Sequence, residues 1–78
     1  MTTYMIILES VNKVRSFVNA ITGFNYAFEI ISGSYSLNAK SIMGIFALDL
    51  NQPLELRVHV SVPDPHLESV LEPYLYKQ

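Results

Sequence analysis

Apolar and polar residues along this chain change period several times, and each change marks an element. Tyr4-Met5-Ile6-Ile7-Leu8 is a continuous apolar run of strand length. Ser10 then stands as a helix cap. Behind it Val11, Val14, Phe17, Val18 and Ile21 recur at three- and four-residue spacing, and Gly23 is placed to end the helix. From Tyr26 to Ile31 the pattern alternates, with Tyr26, Phe28 and Ile30 on one face and Glu29 on the other. Ser32-Gly33-Ser34 supplies a turn into Tyr35-Ser36-Leu37-Asn38, which predicts a hairpin.

The second half opens on a short helix predicted from Ser41 to about Leu48. Gly44 lies inside it, at a cost of about 1 kcal/mol relative to alanine, so a close approach to the backbone is expected there. Ile42, Met43, Ile45, Phe46 and Leu48 crowd five large apolar side chains into seven positions. So short a helix cannot bury them all, and an apolar tip on a small domain suggests a docking surface formed by Ile42, Met43 and Phe46. After a turn over Asp49–Pro53, Leu54 to Val60 alternates strictly, as a half-buried strand does. Asp64-Pro65 starts a last helix by cap and first-turn proline, Leu67, Val70 and Leu71 form its apolar stripe, and Pro73 stops it. Tyr74, Leu75 and Tyr76 are expected to pack back as a tail.

The element order is therefore β-α-β-β-α-β-α. Four strands with one apolar face, covered by helices on that side, make an α+β open-faced β-sandwich with an antiparallel sheet. Periodicity does not separate this from a ferredoxin-like β-α-β-β-α-β domain; the short second helix and the extra C-terminal one favour the sandwich.

Composition narrows the function. Residues 1–78 suit one domain, and half of them are hydrophobic, enough for a core without staples. There is no cysteine, which removes disulfides and thiolate metal sites and suits a cytoplasmic setting. The apolar run at the N-terminus is too short for a signal peptide or a membrane span. A net charge of −2 argues against nucleic-acid binding by phosphate neutralisation. The two histidines lack the spacing of a helical metal pair and no third ligand is evident, so no metal or other cofactor is assigned. No glycine-flanked nucleophile with a histidine and an acid partner is present, and the chain does not read as an enzyme.

The segment Lys40-Ser41-Ile42-Met43-Gly44, followed by apolar residues, together with the element order, resembles HPr, the histidine-containing phosphocarrier protein of the bacterial sugar phosphotransferase system. The resemblance implies an HPr-like open-faced sandwich over the whole chain. It places Ser41 on the serine that HPr kinase phosphorylates in many Gram-positive members. Ile42, Met43 and Phe46 fall on apolar positions that dock enzyme I and other partners. The first helix departs from the pattern. Where the family carries a Gly-Ile-His-Ala-Arg-Pro-Ala type motif, this chain reads Val11-Asn12-Lys13-Val14-Arg15-Ser16-Phe17. Aligned on the arginine, Arg15 matches, Lys13 takes the histidine position and Ser16 replaces the proline, with the spacing to Ser41 a few residues short.

That substitution changes the chemistry. A phosphocarrier imidazole is neutral near physiological pH and attacks through a ring nitrogen. An exposed lysine is protonated, with an ordinary pKa of about 10.4, and attracts phosphate without relaying it; with Arg15 and the first-turn amides it is expected to form at most a weak anion site. The leading expectation is a regulatory or protein-binding module without the phosphocarrier histidine, acting through the Ser41 helix on phosphotransferase or transcriptional-regulator partners. The alternatives are phosphotransfer through another residue, which needs His59 or His66 near the first-helix terminus, and a structural or homodimerising domain unrelated to sugar transport.

Overall fold

The computed structural model describes residues 1–76. It contains β1 (Thr2–Ile6), α1 (Val11–Thr22), β2 (Phe28–Ser32), β3 (Tyr35–Asn38), α2 (Ile42–Phe46), β4 (Leu54–Val58), α3 (Pro65–Leu71) and a 3₁₀ turn over Glu72–Tyr74. The four strands form one antiparallel sheet in the order β1-β4-β2-β3. Alternate residues of β4, namely Leu54, Leu56 and Val58, are buried on the side where the helices lie, with Ile6, Phe28 and Ile30 beside them. Val14, Phe17 and Ile21 of α1, Ile45 of α2 and Leu67 and Leu71 of α3 close the core from the other side. The third helix packs on α1, and with the strand order this favours the open-faced sandwich over the ferredoxin-like alternative.

Element ends differ from the sequence expectation for identifiable reasons. The β1–β4 ladder stops at the pair Ile6↔Leu54, because the next residue of β4 would be Pro53, which has no N–H to donate. Ile7 instead donates to the Tyr74 carbonyl at 2.8 Å, and Tyr76 donates to Met5 at 2.8 Å. The tail thus lies along the outer edge of β1, bridged at Ile6↔Leu75, where it protects an otherwise open strand. β2 begins at Phe28 rather than Tyr26: the Tyr26 hydroxyl donates to Asp64 at 2.7 Å, and its ring stacks on Phe24. β4 ends at Val58, because Val60 N–H bends back to the Val58 carbonyl at 2.9 Å. α2 ends in two i→i+3 bonds, Ala47 to Gly44 and Leu48 to Ile45, a tightened last turn that stops it short of Leu48.

Two tyrosines tie α3 to β1 and to the segment that leads into β2. Tyr26 bonds its cap residue Asp64, and Tyr4 of β1 donates to Glu68 at 2.9 Å. Burial, and then the Glu68 carboxylate, push the Tyr4 hydroxyl up to about 12. The sheet face away from the helices carries polar pairs: Arg57 with Glu55 at 2.5 Å, His59 with Glu29 at 2.5 Å, and the Ser36 hydroxyl donating to Glu29 at 3.0 Å. Among the described residues no helix is long and apolar enough to cross a membrane.

Candidate functional site

The chain enters α2 through a hydrogen-bonded turn. The Asn38 side chain accepts from Lys40 N–H at 2.9 Å, and its carbonyl accepts from Ser41 N–H at 3.0 Å. Lys40 then folds back. Its ammonium donates to the Phe24 carbonyl at 2.7 Å and lies 5.3 Å from the centre of the Phe28 ring, so it joins the entry of α2 to the exit of α1. Ser41 is the N-cap, in extended conformation, with its hydroxyl oxygen accepting from Gly44 N–H at 3.3 Å. Ser41 is exposed, and among the described residues its hydroxyl donates to no partner.

The helix splits its apolar residues by three-residue spacing. Ile45 is fully buried and Ile42 packs partly onto the core, whereas Met43 is 77 % exposed and Phe46 37 %. Of the three residues expected to dock, Met43 and Phe46 face outward and Ile42 is half-buried against the core. Gly44 carries the close approach its presence predicted. A Cβ there would sit 3.3 Å from Ser41 Oγ and 3.4 Å from Leu37 Cδ1, against the cap hydroxyl and the side chain that β3 sends beneath the helix.

At the start of α1 the cap is Ser10, whose hydroxyl accepts from Lys13 N–H at 3.2 Å. The residue before it, Glu9, holds φ at +68°, its N–H bonded to the Leu50 carbonyl at 2.9 Å, while Ser10 N–H turns back to Leu8 at 2.8 Å. Lys13 is the third residue of the helix and Ser16 the sixth. Its ammonium reaches away along the helix to the Pro73 carbonyl at 3.5 Å. Ser16 makes a short hydrogen bond with the Tyr74 hydroxyl, and Arg15 is exposed.

This geometry bears on the alignment of the first-helix motif. With Lys13 at the histidine position, the motif proline falls on Ser16, in the helix interior, where proline is destabilising by about 3 kcal/mol. Moving the motif three residues toward the N-terminus puts the proline on Lys13 in the first turn, where it is tolerated, and the histidine on the cap, Ser10. The arginine position then falls on Asn12, and the spacing to Ser41 lengthens by three residues. A first-turn proline thus suits a register with Ser10 and Asn12 at the histidine and arginine positions better than one with Lys13 and Arg15 there. Sequence reasoning did not weigh this register, although the rule that proline belongs in a first turn points to it. Ser10 offers no replacement for an imidazole, since its hydroxyl caps the helix with no base placed against it.

Neither histidine approaches the α1 start. His59 lies on the opposite face of the sheet, bonded to Glu29, whose carboxyl is held below the ordinary glutamate range by that bond and then by Ser36. His66 stands 5.3 Å from the ring of Phe24, beyond the far end of a helix about 18 Å long. No group of three or more metal-ligating side chains forms among the described residues.

No family model and no curated protein sequence matches the chain. A solved structure does. The crystal structure of HPr-C-His from Thermoanaerobacter tengcongensis aligns with a TM-score of 0.74 at 20 % identity, over 92 % of this chain and 89 % of that one. The fold is that of HPr. The likeness spans both chains almost end to end.

Proposed function

We propose that this HPr-like protein is a regulatory or protein-binding module of the bacterial phosphotransferase type, cytoplasmic, not an enzyme, and without a histidine phosphocarrier role. Its working surface is α2, with Ser41 as a phosphorylation site and Met43 and Phe46 as the apolar contacts of a phosphotransferase or transcriptional-regulator partner. The observation that carries this reading is the pairing of an exposed, capping serine with two outward apolar side chains on a five-residue helix, while Ser10 occupies the cap of α1. Phosphate on Ser41 adds about −1.5 to −2 charges beside the positive end of α2, which tolerates it, and next to Met43, where it changes which partner surface fits.

The test uses purified enzyme I, phosphoenolpyruvate and an HPr kinase. Enzyme I is expected to leave both histidines unlabelled while broadening the NMR signals of Met43 and Phe46 on titration, and the kinase is expected to modify wild type but not Ser41→Ala. Acid-labile phosphate on His59 or His66 would overturn the absence of a carrier role. Signal changes confined to the open sheet face would overturn docking through α2.

A further inference from the structure

We propose that Met43 is a reversible oxidation site, at which a peroxide changes the α2 face without disturbing the fold. The chain has no cysteine, so no thiolate competes for a soft oxidant. Its three methionines all lie at the surface, Met43 at 77 % exposure, Met1 at 66 % and Met5 at 44 %. The buried core is built from aliphatic and aromatic side chains and contains no sulfur. Oxidation ordinarily damages a protein by placing a polar oxygen inside packed apolar groups. Here all three methionines are exposed, and the most exposed of them lies on the outward face of α2, two residues from Ser41 and three from Phe46.

The chemistry balances with a peroxide as oxidant. Its O–O bond breaks, one oxygen forms the S=O bond of the sulfoxide, and the other leaves as water, with sulfur losing two electrons. Reversal by a methionine sulfoxide reductase takes two electrons from a thiol pair, which becomes a disulfide as the oxygen departs as water. The consequence for a partner rests on the reading of α2 given above, whereas the site chemistry does not. A sulfoxide buried at an interface without a hydrogen-bond donor is expected to weaken binding about tenfold or more.

The experiment treats the whole protein with hydrogen peroxide and follows each methionine by peptide mass spectrometry, the fold by thermal melting, and binding by titration with purified enzyme I. Met43 is expected to convert ahead of Met5, the cooperative melt to persist, and a methionine sulfoxide reductase with dithiothreitol to restore the thioether. Conversion of Met5 ahead of Met43, loss of the cooperative melt, or a sulfoxide that the reductase cannot restore would each overturn the proposal. Peroxide is expected to weaken enzyme I binding in wild type and Met5→Leu but not in Met43→Leu. Binding that is present and unaffected by complete Met43 conversion would remove the switch. Absence of binding before oxidation would instead refute the docking reading, and the order and reversal of oxidation would still be measured.

Discussion

Removing the ring of Tyr74 is expected to undo the C-terminal end of the fold. Tyr74 is 6 % exposed, its ring meets Phe17 edge-on with centroids 5.4 Å apart, and its hydroxyl bonds Ser16. Its backbone carbonyl also receives Ile7 N–H, the first of the bonds that lay the tail along β1. Tyr74→Phe deletes only the hydroxyl bond, and Ser16 is exposed enough for water to replace it, so a loss of about 0.5–1.5 kcal/mol is expected. Tyr74→Ala deletes the buried ring and leaves a cavity against Phe17, for which about 3–5 kcal/mol is expected. A domain of this length has roughly 4–12 kcal/mol in total, so the alanine variant forfeits a large share. The assay is urea denaturation of wild type and both variants, with hydrogen exchange at the Ile7 and Tyr76 amides. Faster exchange at both amides is expected in Tyr74→Ala. A cost below about 1 kcal/mol for Tyr74→Ala would refute the reasoning, because it would mean that the tail is an ornament on the sheet and not part of its core.

Three further outcomes are expected. Ser41→Ala should lower stability by about 1 kcal/mol through loss of the α2 cap, read as a fall in melting temperature, whereas Ser41→Asp, which still caps and suits the helix start, should retain most of it. Glu9→Gly should stabilise by about 0.5–1 kcal/mol, because the strain that glycine relieves at this positive φ outweighs the larger conformational entropy it loses on folding; urea midpoints check the sign. Glu29 has its pKa depressed in the folded state, so the stability it contributes is present above the unfolded value of about 4.3 and lost as pH falls through the folded one. Melting temperatures of Glu29→Gln should therefore fall less steeply than wild type on the acid side, and parallel curves would remove the pair from the acid response.

Local physics was sufficient for most of the architecture. Ser10, Ser41 and Asp64 each cap the helix that their position before an apolar stripe announced, and Pro65 opens α3 as first-turn proline should. Leu54, Leu56 and Val58 are buried in the alternation read from the residues alone. These features depend on neighbours one to four residues away, which sequence displays directly. The crowding of apolar residues after Ser41 was likewise legible as surplus, but which of them faced outward was not. Ile42 and Ile45 turned to the core and Met43 and Phe46 to solvent because α2 packs beside α1 on the core layer and over Leu37. Strand ends moved for the same reason: Pro53 opposite β1, and the tail returning to its outer edge, are contacts across most of the chain. The first-helix site needed tertiary structure most. Spacing alone does not fix the register of a degenerate motif, and the helix start, set by Glu9 N–H bonding the Leu50 carbonyl and Ser10 closing on Lys13, is what makes a register with Ser10 at the histidine position fit a first-turn proline.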